Sequence, residues 1–188
     1  MKYLVFDVET TGTMHWKHCI HQLSVLVVQD GVVKETADFK VKPHNKGIIE
    51  EEALKVSGVT LEQIQAYPEQ STVHTQLTQL LAKYVNKFDK KDKFFLLGYN
   101  NASFDNNFLR SFFTQCDDKY FGSWFWSSSL DVMVLAAEYL KKERHLMEDF
   151  KLKTVAAYLG INVDESRLHD AIYDIELTYE IYKIVAKP

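Results

Sequence analysis

The chain has 188 residues, 46% of them apolar and 13% aromatic, enough for one sizeable core and short for two. Its 22 Lys and Arg stand against 26 Asp and Glu for a net charge of −4, which excludes a protein that coats long stretches of phosphate backbone but leaves room for a binder of a short nucleic-acid end. Cys19 and Cys116 lie far apart without CxxC spacing, the N-terminus is unlike a secretory signal and no run nears the ~18 apolar residues of a membrane span. The expectation is a soluble cytoplasmic protein with no disulfide framework, zinc site or membrane contact.

Lys2 to Asp7 reads as a central strand buried on both faces, with carboxylates at its end. Gln22 to Gln29 is again β-branched and apolar, Asp30-Gly31 supplies a turn, and Val32 to Val41 alternates weakly as a partner strand. From Ile49 the texture is helical: EEEALKVSG ends at Gly58, Thr60 caps a short LEQIQAY helix, and Ser71 opens a longer one to about Asn86. The charged KFDKKDK, Lys87 to Lys93, reads as a solvated loop. The sheet resumes at Phe94 to Leu97, a helix follows from Asp105 to Gln115, then the aromatic YFGSWFWSSS, then helices near Leu130 to Tyr139, Leu152 to Tyr158 and Asp170 to Val185. With few Gly and Pro and no repeat, residues 1–188 are expected to form a single α/β domain.

Asp7 and Glu9 are two apart at a strand end, so their carboxylates leave one face and can share a cation. A strand also ends in DxE by chance or to block sheet extension. In GYNNASFDNNFL, Asp105 opens a helix, where it either serves chemistry or only caps free backbone N–H groups. In HDAIYD, Asp170 has the plain explanation of an acid complementing a helix dipole. Asp174 lies beside the core-directed stripe Ile172, Ile175, Leu177, Ile181 and Ile184, where an acid calls for a ligand. His169 alone is an ordinary histidine.

FDVETTG, NASFDNNFL and HDAIYD together resemble, in order and type, the three motifs of the DEDDh exonucleases in the ribonuclease H-like superfamily. That group includes the proofreading subunit of bacterial DNA polymerase III, ribonuclease T and oligoribonuclease. EEALKVSGVTLEQI and LKTVAAYLGI extend the resemblance over most of the chain. Ser57 and Asn100 stand where many members have histidine.

The resemblance implies a ribonuclease H-like fold, a mixed five-stranded sheet whose first three strands are antiparallel, flanked by helices. It implies a 3′→5′ exonuclease that releases nucleoside 5′-monophosphates, single-stranded DNA being favoured as substrate. Two divalent cations, Mg²⁺ with Mn²⁺ as substitute, would be held by Asp7, Glu9, Asp105 and Asp174, consistent with an all-oxygen ligand set. His169 would be the general base. Thr10, Thr11, Gly12 and Phe104 would meet the terminal nucleotide, the two threonines through hydroxyls and backbone N–H groups. Trp16, Trp124 and Trp126 are read as core packing before base stacking. An exoribonuclease and a non-catalytic docking module are the alternatives. Family members work as homodimers or on a polymerase, and with only AKP after the last helix the chain is expected to act alone or to dock through its globular surface.

Overall fold

The computed structural model describes residues 1–167 and 170–186. Its sheet comprises β1 (Lys2–Thr10), β2 (Ile20–Gln29), β3 (Val32–Lys40), β4 (Phe95–Gly98) and β5 (Leu130–Asp131), in the order β3-β2-β1-β4-β5. β2 is antiparallel to both β1 and β3, whereas β4 pairs parallel with β1 and β5 parallel with β4. This is the mixed sheet the resemblance implied. The β2–β3 turn holds Asp30 at φ 53° and Gly31 at φ 79°, the left-handed pair that matches the twist of a hairpin.

Strand alternation divides the core. Leu4, Phe6 and Val8 of β1 face one cluster with Val73, Leu77, Phe108 and Phe112, contributed by α3 (Gln70–Ala82) and α4 (Asp105–Gln115). Tyr3 and Val5 face the other, with Val132, Val155, Ile175 and Ile181, from α6 (Val132–Tyr139), α7 (Leu152–Tyr158) and α8 (Ala171–Val185). Leu4 and Val5 are both fully buried, as a central strand with helices on both faces requires.

Element ends differ from expectation where local signals compete. α1 (Glu51–Val56) is followed by Gly58 at φ 66°, and Thr60 caps α2 (Leu61–Gln65) with a capping box to Gln63. α3 begins one residue before Ser71, behind Glu69, and stops at Ala82 rather than near Asn86. Beyond it Tyr84 folds inward, its hydroxyl donating to Glu35 at 2.9 Å. The aromatic segment contains α5 (Phe121–Trp124) and a bridge from Phe125 to Phe94. Leu130 and Asp131 extend the sheet before α6 begins. Among the described residues no helix is long and apolar enough to cross a membrane.

Candidate active site

Asp7 and Glu9 continue the face of β1 begun by Tyr3 and Val5, so both carboxylates point toward the α8 side of the sheet. The helix register brings Asp174 level with them. The Tyr182 hydroxyl meets that of Tyr3 at 3.0 Å. From Tyr182, Asp174 lies eight residues up the helix, about 12 Å, and from Tyr3, Asp7 lies four residues along the strand, about 13 Å. α8 therefore runs antiparallel to β1 and delivers an acid from its first turn to the strand's carboxyl end. Ile175, Leu177 and Ile181 are buried as the apolar stripe requires.

Asp105 arrives from the other layer. The β1–β4 pairing runs from Tyr3–Phe95 to Val5–Leu97 and stops there, which leaves the β1 edge beyond Val5 open on that side. There the Val8 N–H donates to Asp105 Oδ1 at 3.2 Å, a direct tie between the first two motifs. The N-cap of α4 is Phe104, not Asp105, so the capping explanation of Asp105 fails. It holds for Asp170, whose carboxylate accepts from the Ile172 N–H at 3.0 Å as the cap of α8.

The loop before Asp105 is held by an acid that the sequence reading passed over. Asp131 accepts from the backbone N–H groups of Asn100 and Met133, both at 3.0 Å, and from that of Ala102 at 3.2 Å. It caps α6 and pins the 99–105 segment, with Asn100 in the left-handed region at φ 60°. The local signal was the ordinary one of an Asp before an apolar helix.

The carboxyls press on one another. Burial, then the charges of Asp105, Glu9 and Asp174, hold Asp7 well above the usual carboxylate range. Burial raises Asp105 to about 7, although backbone N–H groups, including that of Val8, oppose the shift. Among the described residues no Lys or Arg forms an ion pair with Asp7, Glu9 or Asp105. Nor, among those residues, are three or more His, Cys, Asp or Glu side chains gathered as a ready-made ligand cluster. The donor set nonetheless fits a hard divalent cation: it is all oxygen, and the mutual repulsion recorded at Asp7 calls for positive charge.

The segment after Glu9 is braced from within. Thr10 donates its hydroxyl to the Gly12 carbonyl at 2.7 Å, while the Thr11 hydroxyl donates to Ile48 O at 2.7 Å and accepts from Cys19 N–H at 3.0 Å. Both hydroxyls are thus engaged in the scaffold. Gly12 lies against the His18 ring, and a Cβ there would sit 2.6 Å from the ring carbons. That ring is fixed by the Met14 N–H at 2.8 Å and by Glu50 at 3.1 Å. Trp16 projects from this loop 68% exposed, which corrects its reading as core, whereas Trp124 is buried and Trp126 packs partly on Phe95. His15 links the loop to α4 through Ser111 at 2.9 Å and touches the rings of both Trp16 and Phe108. Phe104 is partly buried with its ring 4.9 Å from that of Phe108. KFDKKDK lies before β4, at the opposite end of the sheet, where Asp92 pairs with Lys2. His169 lies outside the described residues.

A family model described as exonuclease, of the RNase T type, matches residues 4–182. The DNA polymerase III PolC-type protein of Mycoplasmopsis pulmonis (strain UAB CTIP) is 27% identical over 181 residues, 96% of this chain and 11% of that protein. Its counterpart from Oceanobacillus iheyensis is 25% identical over 186 residues, 98% of this chain and 11% of that protein. The chain thus spans 11% of the length of these curated relatives. Among solved structures, E. coli exonuclease I in complex with a dT13 oligonucleotide overlays with a TM-score of 0.77 and 22% identity, over 99% of this chain and 41% of that one. The zinc-bound form of the E. coli exonuclease I complex with single-stranded DNA gives 0.76 and 22%, over 98% and 40%. The structural likeness speaks for the fold, and the family match runs through all three motifs that supply the acids: the chain belongs to the RNase T exonuclease family, the DEDDh type of 3′–5′ exonuclease.

Proposed function

We propose that this chain removes nucleotides from the 3′ end of single-stranded DNA as nucleoside 5′-monophosphates, with Asp7, Glu9, Asp105 and Asp174 holding two divalent cations and His169 serving as general base. The observation that carries the reading is the convergence of acids from β1, α4 and α8 at one sheet end, recorded in the electrostatic burden that Asp105, Glu9 and Asp174 place on Asp7. Bound Mg²⁺ or Mn²⁺ supplies neutralisation of the charge on phosphorus and activation of the attacking water. The chain's own residues do the rest. Asp7, whose carboxyl is pressed by Asp105, Glu9 and Asp174, would hold the cations together with Glu9, Asp105 and Asp174. His169, just before α8, takes the proton from the attacking water, a task suited to an imidazole at neutral pH.

The 3′ end is received by the 10–12 segment and by Phe104. Both threonine hydroxyls are engaged internally, and the Thr11 N–H and carbonyl are held by Cys19 and Glu50, so Thr11 serves as scaffold for the segment, any Thr10 contact is through its backbone, and the Gly12–His18 contact sets how closely the strand approaches. DNA is favoured over RNA because the relatives are DNA polymerases and the structural neighbours were solved with dT13 and dA16 oligonucleotides. The polymerase relatives also favour a cytoplasmic setting alongside a polymerase, with residues 1–188 acting as one exonuclease domain.

The test is digestion of 5′-labelled single strands of DNA and RNA with Mg²⁺ or Mn²⁺, resolved at single-nucleotide intervals beside an Asp7→Ala control. A metal-dependent ladder shortening from the 3′ end, faster on DNA, is expected. Faster loss of RNA would make the enzyme an exoribonuclease. No cleavage of either strand by a folded, metal-binding sample would sink the catalytic reading in favour of a docking role.

A further inference from the structure

His21 is fully buried, yet neither the core nor the four acids account for it. It lies where the β1–β2 register slips. Glu9 pairs with Gln22 but Thr10 pairs with Ile20, leaving His21 as the extra residue of a β-bulge. Ile20 and Leu23 both face the α3–α4 core although they are three residues apart, so the bulge frees His21 from regular alternation and re-aims it. Bulges of this kind beside sites are devices for directing one side chain.

The side chain ends at Ser57, just past α1. His21 Nε2 stands 3.2 Å from Ser57 Oγ, and Ser57 Oγ donates to Glu9 Oε2 at 2.8 Å, with the Ala53 carbonyl a more distant acceptor at 3.2 Å. A hydroxyl has one proton and two lone pairs. If that proton goes to Glu9, the imidazole must be the donor, Nε2–H to Ser57 Oγ. His21 Nδ1 is then a bare acceptor, buried with no hydrogen-bond partner among the described residues. A lone pair left unmet costs less than an orphaned N–H, so this tautomer is the one the surroundings favour. Burial, aided by Lys40, also holds the imidazole neutral, its pKa lowered to about 4, so the donor persists across the working pH range.

We propose that His21 is a positioning residue for the exonuclease site: through the Ser57 hydroxyl it fixes the rotamer of Glu9 and so presents the other carboxylate oxygen toward a divalent cation. The proposal rests on the metal-binding reading above.

The test is the Mn²⁺ concentration at which thermal stabilisation is half complete, measured without substrate. Groups that orient a ligand through hydrogen bonds change metal affinity by roughly 10-fold or more when removed. His21→Leu and Ser57→Ala should each raise the midpoint by about 10-fold, and the double variant should do no worse than either single one because both break the same chain. His21→Gln, which keeps a donor near the Nε2 position, should return the midpoint close to wild type. If His21→Leu does not fold, His21→Asn, which loses that donor, carries the same expectation. A wild-type midpoint in the variant that folds, or effects of His21 and Ser57 that multiply, would overturn the positioning role. A wild-type protein whose melting ignores Mn²⁺ would overturn the metal reading itself and this proposal with it.

Discussion

Replacing Asp7 by Asn should stabilise the metal-free protein while abolishing cleavage. Asp7 is opposed by burial and by the charges of Asp105, Glu9 and Asp174, and Asn keeps its volume without the charge. Two unit charges about 7 Å apart, the spacing of alternate strand residues, repel by about 2 kcal/mol at an effective dielectric near 20. Three such neighbours would exceed this, but Asp7 escapes part of the repulsion by holding a proton. A net relief on the order of 2 to 3 kcal/mol remains, worth roughly 5 to 10 °C in melting temperature for a domain of this size. Mn²⁺ at about 100 times its Kd stabilises a one-site protein by about 2.7 kcal/mol, and this should accrue to the wild type and not to the variant. The assay is thermal melting of both proteins in chelator and then across a Mn²⁺ titration. The variant should melt higher in chelator and the wild type should close the gap as metal is added. An Asp7→Asn protein that melts at or below the wild type in chelator, or gains equally from Mn²⁺, would refute the reasoning.

Asp105 predicts a pH dependence. Its folded pKa is raised to about 7 from the usual carboxylate range near 4, so its contribution is fully present below about pH 4 and lost as pH rises to about 7. In chelator, the wild type should lose stability relative to Asp105→Asn across that window and hold level above it; parallel curves would show that the acid is not burdened. Trp16→Ala should raise KM for single-stranded DNA by about 5- to 100-fold, the usual worth of one base stack, with kcat nearly unchanged, because Trp16 stands exposed beside the 10–12 segment; an unchanged KM would return Trp16 to mere surface. His169→Ala should lower kcat by roughly 10² or more without moving the Mn²⁺ midpoint for thermal stabilisation, and undiminished turnover would remove His169 from the mechanism.

Local grammar made much of the fold legible. The span of α4, the hairpin at Asp30-Gly31 and the cap at Thr60 were each written in a few adjacent residues, and the structure keeps them. Asp7 and Glu9 were legible as a pair because alternation on a strand leaves their common face no choice. Asp174 was legible because an acid beside an apolar helical stripe asks for a reason. What escaped depends on contacts made across the fold. Asp131 looked like any residue opening a helix, since its other role is set by N–H groups about 30 residues upstream. Trp16 was misassigned because an aromatic residue's burial depends on what its loop packs against, and this loop closes over His18 with Trp16 outside. His21 was the least visible, because a bulge has no composition of its own: it arises from the mismatch between β1 and β2 registers. A slip of one residue would otherwise turn a side chain to the opposite face. Confined here to the last pair of the ladder, it leaves the core register intact upstream and brings an imidazole to Ser57, whose hydroxyl donates to Glu9. The same open end of β1 thus supplies the unpaired Val8 N–H that holds Asp105 and the irregularity that brings His21 to Ser57, so the termination of regular pairing is what builds the site.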